Sequence, residues 1–187
     1  MVTVPGTRDW PVLRELVFRA STDRPCPELV RAVADSPSPV QAWKERWRDL
    51  QGPRRLAMFS HALDGTVDGF VAAYLDGDIE RQVVIVRHFV TAPTEQDPRG
   101  AEAGRALLQA VEAWADQQSV PEVLMEVAGD DTATQTLLQA RGYRATGVTR
   151  PGFDAVGGDI DGTSVATEWG LELARSETRA PIFAVAS

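Results

Sequence analysis

Residues 83–108 read VVIVRHFVTAPTEQDPRGAEAGRALL, and the rest of the chain is best understood outward from them. A run of β-branched and apolar residues starting at Val83 breaks at Pro93 and passes through the polar segment 94–98. It then meets Arg99-Gly100-Ala101-Glu102-Ala103-Gly104 at the head of an Ala/Leu-rich segment. That order is strand, loop, helix. Small residues let a loop backbone approach a ligand closely, and the first turn of a helix leaves N–H groups pointing outward, where a pyrophosphate is favoured. Alone the signal is weak, because many Gly-rich turns only pack a helix tightly on a sheet.

The spacing sharpens it. Val90 and Pro93 precede Arg99-Gly100, and Gly104 and Leu107-Leu108 follow; this resembles the acyl-CoA loop of the GNAT superfamily of N-acetyltransferases. Downstream, Val127, Asp131, Leu137 and Gly142-Tyr143 keep the spacing of that family's second cofactor segment, so the resemblance spans residues 83–148. It implies an α+β fold: a mixed, mostly antiparallel central sheet of about seven strands with a splayed parallel pair, flanked by about four helices. It also implies acetyl-CoA as co-substrate, with its pyrophosphate on the first stretch and its pantetheine arm and acyl end along the second.

Composition sets the bounds. A chain of 187 residues, 43% hydrophobic, buries a substantial core and suits one domain, which we expect over residues 1–174 with a tail at 175–187. No apolar run approaches the ~20 residues of a membrane span, and MVTVPGTRDW lacks a basic region followed by a long apolar one. The expectation is a soluble, cytoplasmic protein. Cys26, between Pro25 and Pro27, is the only cysteine and reads as a loop thiol; it excludes an intrachain disulfide. With His61 and His88 the only histidines, no metal site is expected. A net charge of −8 argues against a broad nucleic-acid surface and is kinder to cationic small substrates, although solubility alone accounts for it. Lys44 is the sole lysine.

In chain order, Val2–Val4 forms a short strand before Pro5-Gly6. Asp9 then precedes a first amphipathic helix carrying Val12, Leu13, Leu16, Val17 and Ala20. Residues 21–39, with several prolines and mixed polarity, read as either a short helix around 27–34 between loops or a mobile lip. Ser38-Pro39 restarts a helix with Val40, Trp43, Trp47 and Leu50 on one face, which overhangs the acceptor side in the GNAT family. Arg55–Ala62 and Val67–Leu75 are strands about an Asp64-Gly65 turn, and Asp76-Gly77-Asp78 turns into the strand ending at Thr91. The helix from Ala101 is expected to bury Ala103, Leu107, Val111 and Trp114. Pro121–Val127 is a strand, Asp131 caps a helix closed by Gly142, and Tyr143–Val148 and Ala166–Leu173 are strands separated by the Gly- and Asp-rich excursion 151–162.

Acyl transfer from a thioester to an amine needs a held cofactor, a neutral amine, a stabilised oxyanion and a proton for the leaving thiolate. The resemblance implies that backbone groups of Phe89, Val90 and Thr91 pair with pantetheine and the thioester oxygen. It assigns the phosphates to the N–H groups of Arg99, Gly100, Ala101, Ala103, Gly104 and Arg105, and adds Asp131 and Leu138 from the second segment. Two positions depart from the family. Glu102 stands where glycine is usual, and its carboxylate complements an empty helix N-terminus but repels a pyrophosphate unless it turns to solvent. Leu138 replaces a tyrosine that can protonate the thiolate. Asp131 is explained by capping alone, where the family commonly has asparagine. The candidate bases are His88, which titrates near neutrality and lies on the opposite strand face from Phe89, and Glu126; attack through water is the alternative. Tyr74, Asp76 and the loop residues Asp154, Asp159 and Asp161 are candidate recognition groups for a cationic acceptor.

Three functions stay open. The first is N-acetyl transfer from acetyl-CoA to a primary amine of a small molecule by direct attack. The second is the same fold with another donor: a longer acyl-CoA, a carrier-protein thioester or an aminoacyl ester. The third is a catalytically silent binding domain. Edge strands and a C-terminal hairpin are compatible with a homodimer.

Overall fold

The structure, a computed structural model, describes residues 1–20, 38–78, 81–92, 100–151 and 165–173. In chain order the elements are β1 (Val2–Thr3), α1 (Trp10–Ala20), α2 (Pro39–Asp49), β2 (Arg55–His61), β3 (Val67–Asp76), β4 (Val83–Thr91), α3 (Ala101–Gln117), β5 (Glu122–Ala128), α4 (Thr132–Ala140), β6 (Arg144–Pro151) and β7 (Val165–Glu172). The strands form one sheet in the order β1-β2-β3-β4-β5-β7-β6. Every neighbouring pair is antiparallel except β4 and β5. Among the described residues this is the mixed sheet with four helices that the sequence led us to expect. The expected lip or short helix, the excursion and its aspartates, Cys26 and the C-terminal tail lie outside the described residues.

The helices divide between the two faces. On one, α1 buries Leu13, Leu16, Val17 and Ala20 beside Trp43 and Trp47 of α2, over Ala57, Phe59, Phe70, Ala72 and Val90. Trp47 stacks on Phe59 at 5.8 Å, and Phe59 meets Phe70 at 5.4 Å, so the two tryptophans are core anchors. Val40, expected on the same stripe, is 47% exposed, because burial on α2 begins only with Trp43. On the other face, α3 and α4 cover Val71, Ala73, Val84, Val86, Val123, Met125 and Val127. α3 buries Ala103, Leu107, Leu108, Val111 and Ala115. Trp114, expected on that stripe, is only partly buried: from Val111 the stripe continues four residues on to small Ala115, and the indole packs at its rim.

Two irregularities in β4 shape the centre of the sheet. Its pairing with β3 runs Ala73↔Val86 and then Ala72↔His88, so Arg87 is the extra residue of a β-bulge. One extra residue inverts the side-chain alternation. Val84 and Val86 face α3, whereas His88 and Val90 fall on the α1/α2 side and Phe89 and Thr91 take over the α3 side. The parallel ladder with β5 is short: Val84↔Val123, Ile85↔Leu124 and Val86↔Met125. It stops at the bulge, although β4 continues to Thr91 and β5 to Ala128. The strands separate there, and the gap opens between the α3 side and the α1/α2 side. Among the described residues, no helix is long and apolar enough to cross a membrane.

Candidate active site

A cavity of about 540 Å³ opens on the α3 side of the gap. Its floor is Phe89 and Thr91 of β4, one wall is the start of α3 at Gly100, Ala101 and Arg105, and the other is α4. The wall from α3 depends on two glycines. Gly100 is the N-cap of α3 with φ 63, a left-handed conformation open to glycine, and a Cβ there would lie 2.6 Å from the Thr91 hydroxyl oxygen. It offers no side chain to the amides of the first turn, which therefore begin against the floor of the cleft. A Cβ on Gly104 would lie 2.5 Å from Leu137 Cδ2 and 3.3 Å from Phe89 Cζ. The absence of that carbon lets α3, α4 and β4 meet beneath the cavity.

α4 is held in register at both ends. The Asp131 carboxylate accepts the Thr134 amide at 3.1 Å and the Thr134 hydroxyl at 2.6 Å, the N-cap geometry. At the far end Gly142 has φ 90, its amide reaches Gln139 O at 3.0 Å, and the Tyr143 amide reaches Leu138 O at 3.0 Å, a Schellman stop. Arg141 then forms a bidentate ion pair with Glu112 of α3, which pushes the guanidinium pKa up.

The expected cofactor residues fall into three groups. Phe89, Thr91, Gly100, Ala101 and Arg105 line the cavity together. Ala103 and Gly104 are buried beneath it, and Val90 points its side chain into the opposite core, leaving only backbone for a ligand. Asp131 and Leu138 are absent from the lining: Asp131 caps α4, and Leu138 is 0% exposed in the α3/α4 core. The residue of that turn facing the cavity is Leu137, joined by Thr132, Ala133, Thr136 and Ala140. The sequence does carry a signal for this wall: small residues recur at helical spacing along α4, on the flank that faces α3. Arg99 lies outside the described residues. Glu102 is exposed and absent from the lining, so its carboxylate turns away from the cavity. Neither tyrosine replaces the family's proton donor, because Tyr74 and Tyr143 also stand away from the lining, and burial pushes the Tyr143 phenol pKa up.

The candidate bases lie across the sheet from the cavity. His88 is 3% exposed, and burial, with smaller contributions from the charges of Arg46 and Arg87, lowers its imidazole pKa to about 3. Glu126 is the first residue of β5 past the end of the β4–β5 ladder, is exposed, and stands opposite Glu168 of β7. Glu122 stands opposite Glu172 on the same face. The structure thus places both candidates beside the gap, one enclosed and neutral, the other in solvent.

A family model described as acetyltransferase (GNAT) family matches residues 18–143. No curated protein matches the chain in sequence. Among solved structures, a GCN5-related N-acetyltransferase from Kribbella flavida is 24% identical with a TM-score of 0.65, over 92% of this chain and 97% of that one. The ribosomal-protein-S18-alanine N-acetyltransferase of Escherichia coli is 17% identical with a TM-score of 0.63, over 96% and 99%. A Bacillus anthracis protein solved in complex with acetyl coenzyme A is 15% identical with a TM-score of 0.51, over 66% and 65%. These structures share the fold, and the family match covers most of the chain, including the loop and both helices that wall the cavity. The chain belongs to the GNAT acetyltransferase family and is an acyltransferase.

Proposed function

We propose that the protein transfers an acetyl group from acetyl-CoA to a primary amine of a small molecule, by direct attack within a ternary complex. One observation carries the reading. The β4–β5 ladder ends at Val86↔Met125 while both strands continue, and the resulting gap connects with a cavity floored by Phe89 and Thr91 and walled by the start of α3. An extended thioester arm fits beside the β4 backbone there, with its diphosphate against the first-turn amides and the Arg105 guanidinium. The outward turn of Glu102 removes the repulsion that its sequence position suggested. The Bacillus anthracis relative, solved with acetyl coenzyme A, supports the choice of donor.

In this reading the amine approaches from the α1/α2 side, its nitrogen bonds to the thioester carbon, and the carbon–sulfur bond breaks with the electron pair on sulfur. The thiolate takes its proton from solvent, since the lining supplies no phenol. The amine's proton leaves through Glu126 or water. A histidine that holds a proton only below about pH 3 is a poor collector at neutral pH, which counts against His88 as the base. A cytoplasmic setting belongs to the same reading.

Calorimetric titration with acetyl-CoA tests the donor. Saturable binding is expected, changed little in Glu102→Gly because the carboxylate already points away from the cavity. No binding in either protein would overturn acetyl-CoA as the donor and favour another thioester or a silent binding domain.

A further inference from the structure

The side of the gap from which an amine must come carries a cation that, among the described residues, forms no ion pair. Trp43 and Trp47 of α2 share one apolar cluster with Ala72 and Val90, and Ala72 is the cross-strand partner of His88. Arg46, on the same helix, lies close enough for its charge to act on His88, which places its guanidinium near the segment of β4 that follows the bulge. Its Nε is fully enclosed and, among the described residues, has no hydrogen-bond partner. An enclosed guanidinium N–H without an acceptor is costly, and an ordered water or a ligand oxygen that enters from outside relieves that cost. Arg87, the neighbouring residue on β4, adds positive charge near His88, and both guanidinium groups help hold that imidazole neutral.

Negative charge lies across the gap, at Glu126 and Glu168. A polyamine would find attraction there and repulsion at Arg46. An amine that also bears an oxyanion satisfies both sides: its ammonium end faces the glutamates before deprotonation, and its oxyanion meets the guanidinium fork, whose planar donors match carboxylate and phosphate geometry. Resting on the transferase reading above, we propose that the acceptor is a small amine carrying a carboxylate or phosphate, and that Arg46 is the residue that holds this oxyanion.

Two measurements on the full chain test this and separate its failure from that of the transferase reading. The first follows the Arg46 Nε–H resonance, identified by its loss in Arg46→Gln, during titration with acetate and with inorganic phosphate. A saturable shift with either ion is expected; none with either overturns the proposal. The second follows thiol release from acetyl-CoA with matched amines: an amino acid against its amide, and phosphoethanolamine against ethanolamine. The anionic member of one pair should be favoured on the order of 10- to 100-fold in kcat/KM, chiefly through KM. That ratio should collapse in Arg46→Gln and recover partly in Arg46→Lys. The responding pair tells carboxylate from phosphate. A preference for the neutral members, or a ratio untouched by Arg46→Gln, overturns the proposal. If no amine is acetylated, the transferase reading is what has failed, and the resonance titration alone decides whether Arg46 seats an oxyanion.

Discussion

Replacing His88 by leucine, which removes the titrating group and keeps a side chain of similar bulk, converts the burial of this histidine into a measurable pH dependence. The folded imidazole has its pKa lowered to about 3, against 6.5 in the unfolded chain. Between those two values the unfolded state binds one more proton at this site, so stability rises with pH across the window and falls as the solution is acidified. At pH 7.5 the site costs almost nothing. By pH 5 the linkage amounts to about 2 kcal/mol, and below pH 3 it approaches roughly 5 kcal/mol, the product of the shift and 1.36 kcal/mol per unit. Urea denaturation of wild type and His88→Leu at matched pH values is the assay. His61 and the carboxylates contribute equally to both proteins and cancel in the difference. The expected result is that wild type loses about 2 kcal/mol more than the variant between pH 7.5 and pH 5. Parallel pH profiles would refute the argument, because they would mean that His88 is hydrated in the folded protein and free to act as a base.

Other predictions follow from the cleft and its supports. Gly100→Ala forces a left-handed alanine against the Thr91 hydroxyl, and should cost about 1–3 kcal/mol by thermal denaturation while weakening acetyl-CoA binding. Gly104→Ala drives a methyl group into Leu137 and should cost about 1–3 kcal/mol, with part of the loss recovered in Gly104→Ala/Leu137→Ala; an additive double-mutant cycle would contradict the contact. Arg141→Gln removes the bidentate pair that ties the end of α4 to α3. With side chains 26% and 15% exposed, the expected loss after solvent screening is about 1 kcal/mol, read from urea midpoints. Glu172→Lys replaces a like-charge pair across β5 and β7 by an opposite pair, and should raise stability by up to about 1 kcal/mol at low salt.

The elements themselves were legible because each carries its own period or stop signal. Arg55–His61 and Val67–Asp76 pair around Asp64-Gly65 as their alternation and turn residues indicated, and Gly142 ends α4 in the left-handed conformation its position required. The bulge at Arg87 was not legible. Val83-Val84-Ile85-Val86 is apolar in both phases of a strand, so no break in alternation marks the point where the faces exchange. That hidden inversion settles which face His88 occupies and where the parallel ladder ends. The site was legible on β4 and at the start of α3, where Phe89, Thr91, Gly100, Ala101 and Arg105 converge. It was less so on α4. There, the resemblance assigned Asp131 and Leu138 to the cofactor, whereas packing turned Leu137, which the motif spacing had included, and the small residues of the adjacent flank toward the cavity. Neighbouring positions on a helix differ by about 100°, so a shift of one residue exchanges a core side chain for a lining one.

The most direct test of the central claim is a crystal structure with acetyl-CoA bound. The account predicts the pantetheine extended along Phe89–Thr91 in the opening beyond Val86 and Met125, with the diphosphate at the first turn of α3. Acetyl-CoA bound elsewhere, or β4 and β5 paired on past Val86 and Met125 so that no opening exists, would contradict it.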